Sequence, residues 1–325
     1  MQPRLGILAP PPPIPGLRLH ELLGEGVTGS VYAAVNANGD ELAVKFLHEA
    51  LGDQPGMVAR FRREAENAEK LRSDFIAEVV GAGRSGRRYW IAYRRLHGET
   101  LASRLRRERV LPPAALATFI DQILRGLDVA HAAGVVHRDI KPGNIMIERP
   151  RGTRVAERAC ILDFGVSKGE AGRGHGGSQD GLTSATATLG TVSYMAPEQV
   201  EGSASVDHRA DLYAAAVVAY RALSGRMPHS GALQAAVMHA KVNTDARSLQ
   251  AVTRVTWPRL IEDFFEQALA REPGGRFATA AAMATAWGHV LQDQGLPAVD
   301  VLREAGAAAD DDDEGTVLEG PGKAR

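Results

Sequence analysis

The sequence HRDIKPGN occupies residues 137–144, and the interpretation of the whole chain starts from it. It places a carboxylate (Asp139), an ammonium group (Lys141) and an amide (Asn144) within six residues of one another. A second carboxylate, Asp163, follows a short apolar run and opens the triplet DFG. Two carboxylates and an amide can hold Mg²⁺ and orient a hydroxyl, while a lysine can offset charge on a phosphoryl group. These are the parts that phosphoryl transfer requires, because its catalysis consists mostly of positioning and electrostatic stabilisation.

Two further motifs precede this stretch. Residues 24–31 read GEGVTGSV, and glycines at this spacing let a backbone approach phosphate groups without obstruction by Cβ. By itself the pattern is equally compatible with a plain hairpin turn between two strands. Residues 41–47 alternate as a strand that carries Lys45. A lone strand lysine is normally a solvated side chain, but its place shortly after the glycine-rich turn favours a phosphate contact.

The order of these motifs resembles that of the eukaryotic-type protein kinases, in particular the bacterial serine/threonine kinases. The chain also carries the APE triplet of that family at residues 196–198. The resemblance covers about Leu17 to Leu291. It implies an α+β, bilobal protein-kinase fold with a β-rich N-lobe that contains one key helix and a larger, mainly helical C-lobe. The implied boundaries are about 17–93 for the N-lobe, 94–98 for the hinge and 99–292 for the C-lobe.

The resemblance also implies which residues contact ATP. Lys45 would hold the α- and β-phosphates and pair with a glutamate on the helix expected between residues 54 and 71. Glu64 is the candidate by its offset from Lys45, and Glu66 and Glu69 are its competitors. The position of Tyr93 is the one that gates the back of the nucleotide pocket. The other implied nucleotide contacts are Leu23, Gly24, Glu25, Gly26, Gly29, Val31, Ala43 and Arg95.

The catalytic roles follow from the same resemblance. Asp139 would orient the acceptor hydroxyl and accept its proton, and Lys141 would stabilise the γ-phosphoryl group as it moves. Asn144 and Asp163 would hold Mg²⁺ or Mn²⁺. Lys141 and Thr191 favour serine and threonine over tyrosine acceptors, so the implied partners are protein substrates with Ser or Thr hydroxyls.

Regulation is expected in the segment after DFG. Autophosphorylation is expected there, first at Thr183 and then at Thr186 and Thr188, and Arg138 would pair with such a phosphate. A homodimer would let one chain phosphorylate the other. The remaining structural residues implied by the resemblance are Phe164 of DFG, Thr191 against the catalytic loop, Asp211 beneath the loop backbone, and Arg276 in an ion pair with Glu198.

Composition limits the possible partners and the cellular compartment of the protein. The 325 residues carry a net charge of −1, so no overall basic field points to nucleic acid or to a membrane surface. Cys160 is the only cysteine, which excludes an intrachain disulfide and fits a reducing compartment. The sequence has no apolar window long enough to span a membrane and no signal-peptide pattern at its start. We therefore expect a cytoplasmic protein without a membrane span, and the Ala- and Gly-rich composition looks bacterial.

The two ends differ in composition from the rest. Residues 1–16 are proline-rich and are expected to be extended or disordered, while residues 293–325 are expected to form an acidic disordered tail. Thr316 follows a run of five acids and, once phosphorylated, would suit a forkhead-associated domain that reads phosphothreonine. The simpler alternative is that the acids only keep the C-terminus in solution.

Two other functions remain open at this point. A pseudokinase or scaffold would bind nucleotide and partners without turnover, although every chemically necessary residue is present. A small-molecule phosphotransferase of related fold should lack the APE triplet and the threonine cluster that precedes it.

Overall fold

The computed structural model describes residues 11–149, 156–164, 189–203, 205–292 and 296–308. The chain divides into two compact units. The first comprises the residues up to Arg72 together with Ala77–Leu96, and the second comprises Ser73–Ile76 and the residues from His97 onward. The boundary between Leu96 and His97 lies inside the segment 94–98 that the resemblance assigns to a hinge.

The first unit, as far as the structure describes it, is an antiparallel five-stranded sheet with two helices. Its strands are β1 (Leu17–Glu25), β2 (Gly29–Asn36), β3 (Glu41–Leu47), β4 (Val79–Ser85) and β5 (Arg88–Arg94), in the spatial order β1-β2-β3-β5-β4. The helices are α1 (Glu49–Gly52) and α2 (Pro55–Glu69), and α2 packs against β4 and β5. The short turns between β1, β2 and β3 impose the antiparallel pairing, because a parallel pair needs a long crossover.

The residues immediately before β1 depart from the expectation of an extended or disordered N-terminal segment. Ile14 is 4% exposed and lies in an apolar cluster with Phe46. Oγ of Ser85 donates a hydrogen bond to the main-chain oxygen of Pro13 at 2.5 Å. Full burial of an isoleucine side chain contributes about 1.5–3 kcal/mol, so this part of the segment belongs to the folded unit. Residues 1–10 lie outside the described residues.

Helix α2 carries the glutamate that pairs with the strand lysine. Pro55 is its first residue, where a missing N–H leaves no hydrogen bond unmade, and Gln54 is the N-cap. The preceding residue, Asp53, pairs with Arg87 at 2.9 Å. The buried residues of the helix recur three and four positions apart and therefore form one face, which consists of Phe61, Glu64, Ala65 and Ala68.

The second unit is mainly helical and contains a small three-stranded sheet. The sheet has the order β6 (Gly98–Thr100), β7 (Ile145–Glu148) and β8 (Arg158–Ile161). The helices of the described part are α3 (Leu101–Glu108), α4 (Pro113–Ala132), α5 (Leu189–Val192), α6 (Pro197–Val200), α7 (Arg209–Ser224), α8 (Gln234–Asn243), α9 (Leu249–Thr253), α10 (Arg259–Ala268), α11 (Ala280–Gln292) and α12 (Val299–Ala308).

The core of the second unit forms around α4 and α7. Helix α4 buries one apolar face, which includes Leu116, Phe119, Ile120, Ile123, Leu124 and Leu127, and the helix packs against α7, α11 and β8. Helix α7 is buried along nearly its whole length. Gly134, with φ +72°, follows the end of α4 in the left-handed conformation that glycine adopts at low cost. The chain then runs directly into His137, so a rigid core helix fixes the start of the HRD loop.

The expected start of the C-terminal tail at residue 293 is wrong. Residues 299–308 form α12, which packs against α7 and α9, and the side chain of Leu302 is fully buried. The sequence reasoning did not predict this helix, because its position depends on tertiary contacts with α7 and α9. Residues 309–325, which include Thr316 and the run of acids, lie outside the described residues. Within the described residues, no helix combines the length and the apolar character needed to cross a membrane.

Candidate active site

The glycine-rich turn joins β1 to β2 and lies close against β3. The N–H of Gly26 donates to the main-chain oxygen of Gly29 at 2.9 Å, which closes the turn. A Cβ at Gly29 would lie 2.0 Å from the main-chain oxygen of Phe46, so only glycine fits there. A Cβ at Gly24 would meet open space. The predicted contacts Leu23, Gly24, Glu25 and Gly26 are all exposed.

The strand register places four of the predicted nucleotide contacts on one face of the sheet. Lys45 pairs with Val31 across β2 and β3, and Ala43 pairs with Tyr93 across β3 and β5. Ala43 and Lys45 are two residues apart in β3 and therefore point to the same side. The side chains of Val31, Ala43, Lys45 and Tyr93 therefore lie on one face of the sheet. The strand register, and not the motif alone, establishes this.

Lys45 is held by a buried carboxylate on this face. Its Nζ lies 2.7 Å from Oε1 of Glu64, and the two side chains are 13% and 8% exposed. The hydroxyl of Tyr93 donates to the same oxygen at 2.8 Å. The competitors Glu66 and Glu69 instead line a groove between α2 and strands β4 and β5. Of the three glutamates considered from the sequence, the structure brings Glu64 to Lys45.

Arg95 is a further predicted nucleotide contact, and two of its hydrogen-bond donors are engaged by glutamates. Its main-chain N–H donates to the oxygen of Glu41 at 3.0 Å, and its Nη2 donates to Oε1 of Glu21 at 3.2 Å. Recognition of adenine by this residue would therefore depend on its carbonyl group, which remains a prediction.

In the second unit, a buried aspartate fixes the backbone of the HRD loop. Asp211 is 0% exposed and accepts from the N–H of His137 at 2.9 Å and from the N–H of Arg138 at 2.6 Å. Nε2 of His131 lies 2.8 Å from the same carboxylate. Burying a carboxylate is costly unless its oxygens accept several hydrogen bonds, and here they do. The loop start is thus tied to α7 and to the end of α4.

The imidazole of His137 links this loop to the DFG segment. Its Nδ1 accepts from the N–H of Asp139 at 3.2 Å, so its Nε2 carries the proton that it donates to the oxygen of Leu162 at 2.8 Å. The ring of Phe164 packs edge-on against it, with centroids 4.8 Å apart. Arg138 and Asp163 have φ values of +62° and +54°, conformations that cost a non-glycine residue about 1–3 kcal/mol and concentrate at functional sites.

The side chains of the HRD loop converge on the carboxylate of Asp139. Nζ of Lys141 donates to its two oxygens at 3.0 and 2.8 Å and to Oγ1 of Thr191 at 3.3 Å. Nδ2 of Asn144 donates to the main-chain oxygen of Asp139 at 2.8 Å and to Oδ2 at 3.0 Å. The carboxylate is therefore oriented from two sides, yet 38% of the Asp139 side chain remains exposed and can meet an acceptor hydroxyl.

Asn144 and Asp163 lie at one end of the β7–β8 pair. Ile145 pairs with Ile161, and the N–H of Leu162 continues the ladder to the oxygen of Asn144 at 2.8 Å. Nδ2 of Asn144 is engaged by Asp139, so Oδ1 is the atom of this amide that could serve as a metal ligand. An amide oxygen and a carboxylate are hard ligands of the kind that Mg²⁺ prefers, so the residues present fit this ion.

A buried ion pair supports the APE segment. Nη1 and Nη2 of Arg276 lie 2.8 Å from Oε1 and Oε2 of Glu198, a bidentate geometry. The same guanidinium donates to three main-chain oxygens and stacks over Tyr213 at 4.8 Å. The predicted pair is therefore part of a larger buried cluster around the tyrosine ring.

Sequence reasoning missed two residues that support this region of the second unit. Gln199 donates to the main-chain oxygen of Arg138 at 2.9 Å and accepts from the N–H of Ala196 at 2.9 Å, so it joins APE to the HRD loop. Lys241 is 0% exposed, with Nζ 5.0 Å from the Tyr213 ring centroid, and burial together with Arg276 lowers its pKa to about 7. Neither residue stands in a local motif. Gly165, Thr183, Thr186 and Thr188 lie outside the described residues.

The comparison with known families decides the classification. The profile of the protein kinase domain matches residues 17–288, which is most of the chain. The chain belongs to the protein kinase family. The bilobal architecture inferred from its motifs is confirmed, with a β-sheet N-lobe in the first unit and a helical C-lobe in the second.

Named relatives of this kinase chain come from bacteria. The serine/threonine-protein kinase PknE of Mycobacterium bovis is 31% identical over 296 residues, which cover 90% of this chain and 49% of that protein. The probable serine/threonine-protein kinase PknB of Corynebacterium glutamicum is 31% identical over 283 residues, 85% of this chain and 42% of that protein. The crystal structure of the Mycobacterium tuberculosis PknI kinase domain matches with a TM-score of 0.64 and 26% identity, covering 85% of this chain and 96% of that one. The match thus spans about half of the length of each of these two curated relatives, or less.

Proposed function

We propose that the chain is a serine/threonine protein kinase that transfers the γ-phosphoryl group of ATP to Ser and Thr hydroxyls of proteins. The observation that carries this proposal is the arrangement around Asp139, whose partly exposed carboxylate is oriented by Lys141 and Asn144 while Lys141 also contacts Thr191. A scaffold without turnover would not need these groups together. The membership of the protein kinase family and the names of the relatives support the same function.

The first unit supplies the nucleotide contacts in this proposal. The backbone of the turn at residues 24–29 lies over the phosphates of ATP, and the ammonium group of Lys45 holds the α- and β-phosphates. Glu64 keeps Lys45 directed into the site, because its buried carboxylate is 2.7 Å from Nζ. Val31 and Ala43 give an apolar surface for the base, with Tyr93 behind it. The predicted contacts Leu23, Glu25 and Arg95 would complete the nucleotide site.

The second unit supplies the chemistry. Asp139 accepts the hydrogen bond of the acceptor hydroxyl and takes its proton as the oxygen attacks the γ-phosphorus of ATP, while the bond from that phosphorus to the β-phosphate oxygen breaks and ADP leaves. Lys141 lies beside this carboxylate and stabilises negative charge on the transferred group. Asn144 and Asp163 would hold Mg²⁺, or Mn²⁺ in its place, and such an ion supplies charge neutralisation at the phosphate oxygens when bound.

The hydrogen bond between Lys141 and Thr191 supports the proposed preference for Ser and Thr as acceptor residues. It ties the segment before APE to the group that contacts the moving phosphoryl. A second tie comes from Gln199, which joins Arg138 to Ala196. The conformation of residues 189–200 is therefore coupled to the conformation of the HRD loop.

A direct assay tests the proposal. The purified chain is incubated with radiolabelled ATP and Mg²⁺, with and without a generic protein acceptor such as myelin basic protein. We expect label in the acceptor, and phosphoamino-acid analysis should give phosphoserine and phosphothreonine. Label that stays on small molecules, or no transfer under conditions where ATP binds, would contradict a protein kinase.

We also propose autophosphorylation of the activation segment at Thr183, with Thr186 and Thr188 as further sites, in a homodimer that acts in trans. Arg138 belongs to the HRD loop, which a phosphate on the activation segment would reach in kinases of this type. A pair between the phosphate and the arginine can order the segment. Mass spectrometry of the wild-type chain and of the Asp139→Asn variant tests this. Absence of phosphate at all three threonines in the wild-type chain contradicts it.

We also propose a role for the acidic tail. Phosphorylated Thr316 would offer a forkhead-associated domain a phosphothreonine with apolar neighbours, in a cytoplasmic setting that fits the single buried cysteine. Deletion after Ala309 tests it. If the truncated chain keeps every phosphorylation-dependent partner in a pull-down, the tail only aids solubility.

A further inference from the structure

His48 lies beside the glycine-rich turn, although no motif includes it. It is the first residue after β3, three positions beyond Lys45. Its main-chain N–H donates to the oxygen of Thr28 at 3.0 Å, and its side-chain Nε2 lies 2.8 Å from the oxygen of Gly26. Because a carbonyl oxygen only accepts, Nε2 must carry the proton in this contact. His48 therefore bonds to the turn through both its backbone and its side chain.

The bond from the imidazole restrains a part of the turn that side-chain packing does not hold. Residues 21–28 are exposed, and the side chain of Val27 at the tip is 66% exposed. The peptide on each side of Gly26 is nevertheless engaged, with the N–H bonded to Gly29 and the carbonyl bonded to His48. Two hydrogen bonds thus fix the orientation of peptide groups in a glycine-rich segment that would otherwise have wide conformational freedom.

The base of the turn has a separate anchor. Arg88 on β5 donates from Nη2 to Oγ of Ser30 at 3.2 Å and from Nε to the oxygen of Leu47 at 3.3 Å, and it is 8% exposed. This buried arginine fixes the end of the turn to the sheet. His48 acts at the other end, near Gly26, where the backbone approaches the phosphates in the proposed function.

We propose that His48 is a positioning residue for ATP, which holds the Gly26–Thr28 turn through its side chain so that the turn is preorganised for phosphate binding. The proposal rests on the proposed kinase function and adds to it a residue outside the family motifs. It predicts an effect on ATP affinity and little effect on the chemical step, because His48 is bonded to the backbone of the turn and to no group that handles the moving phosphoryl.

Three variants of the full chain test this inference. His48→Phe keeps an aromatic ring but removes both ring nitrogens, and His48→Gln keeps a side-chain N–H donor. His20→Phe is the matched control, since His20 is an exposed histidine of β1 in the same unit. The measurements are ATP affinity by calorimetry, the KM for ATP and kcat in the transfer assay, and hydrogen–deuterium exchange of the peptide that spans residues 24–31.

We expect His48→Phe to weaken ATP binding and raise the KM for ATP about threefold to tenfold, the size of one lost hydrogen bond, with kcat changed less than about twofold. Amide exchange in residues 24–31 should accelerate in His48→Phe, even without nucleotide. His48→Gln should recover most of the affinity, and His20→Phe should match the wild-type chain. If His48→Phe does not fold, His48→Ala takes its place in the comparison.

The inference would be overturned by unchanged affinity and exchange in His48→Phe, by equal losses in His48→Phe and His20→Phe, or by a His48→Gln variant that binds ATP as weakly as His48→Phe. A loss in kcat alone would also overturn it. Failure of the kinase function is recognised separately, because a wild-type chain that binds ATP without transferring phosphate still allows the affinity and exchange measurements to decide the role of His48.

Discussion

The hydroxyl of Tyr93 donates a hydrogen bond to Oε1 of Glu64 at 2.8 Å. The same oxygen accepts Nζ of Lys45 at 2.7 Å, so a neutral donor and a cation share one buried carboxylate oxygen. This links the end of β5 to α2 and to the strand that carries the lysine, all within the first unit. The tyrosine hydroxyl therefore helps to hold the ion pair in addition to filling space behind the predicted nucleotide site.

Replacement of Tyr93 by phenylalanine should expose this contribution. The ring remains, but Glu64 loses one donor and gains freedom to leave Lys45. We expect kcat/KM for ATP to fall about twofold to tenfold, the size of one net hydrogen bond. Steady-state kinetics of Tyr93→Phe measure it, with Tyr89→Phe as a control on the same strand. Equal kinetics for Tyr93→Phe and the wild-type chain would show that the hydroxyl is dispensable.

Lys45→Met and Asp139→Asn should each abolish detectable phosphoryl transfer while the fold remains intact. Lys45 loses its charge next to the phosphates, and Asp139 loses its ability to accept a proton. Loss of a general base alone typically costs about 10²- to 10⁴-fold. Autophosphorylation assays measure the effect, and circular dichroism checks the fold. The controls are Lys70→Met and Asp128→Asn, which change exposed residues of α2's C-cap and of α4. Full activity in either folded site variant would refute the assignment.

Arg276→Met should destabilise the second unit strongly. It leaves the buried carboxylate of Glu198 without its bidentate partner and removes donors from three main-chain oxygens. Removing one member of a buried ion pair costs about 3–5 kcal/mol. Urea unfolding should show this loss in the free energy of unfolding. Arg259→Met, at an exposed pair with Asp263, is the control and should change stability by less than about 1 kcal/mol.

The buried Lys241 should make stability rise with pH above neutrality. Burial lowers its pKa to about 7, from an ordinary value of 10.5. Between those values the unfolded chain binds the proton and the folded chain does not, so the free energy of unfolding increases with pH by up to about 1.4 kcal/mol per unit. In Lys241→Met this contribution disappears, so the variant should be more stable than the wild-type chain at pH 7 and should lose part of that advantage by pH 9, because the full loss requires a pH above 10.5.

Urea unfolding at pH 7, 8 and 9 measures that difference. His229 contributes little to this difference, because burial, with the charges of Lys241 and Arg247, lowers its pKa to about 4, and even its ordinary value of 6.5 lies below this range. Lys70→Met serves as the control for an exposed lysine. A stability difference between Lys241→Met and the wild-type chain that stays constant over this range would mean that Lys241 keeps its proton in the folded state throughout.

Glu64 illustrates what the sequence and the tertiary structure each contribute to the assignment of a site residue. The sequence favours Glu64 by its offset from Lys45, and the structure places it on the buried face of α2 together with Phe61 and Ala68. The choice between Glu64 and the competing acids became definite only when β3 placed Lys45 opposite that face. Tyr93 could not be assigned its hydroxyl contact from sequence, because the partner lies 29 residues away on another element.

The order and spacing of short motifs determined the family, the bilobal fold and the residues to examine, because catalytic loops and glycine-rich turns encode their chemistry within a few neighbouring positions. Tertiary structure decided what depends on distant contacts. It buried Ile14 and Leu302 outside the predicted domain limits, gathered Arg276 and Lys241 around Tyr213, and brought the imidazole of His48 to Gly26. None of these contacts has a local pattern, since each is formed by side chains that meet only after the strands and helices pack.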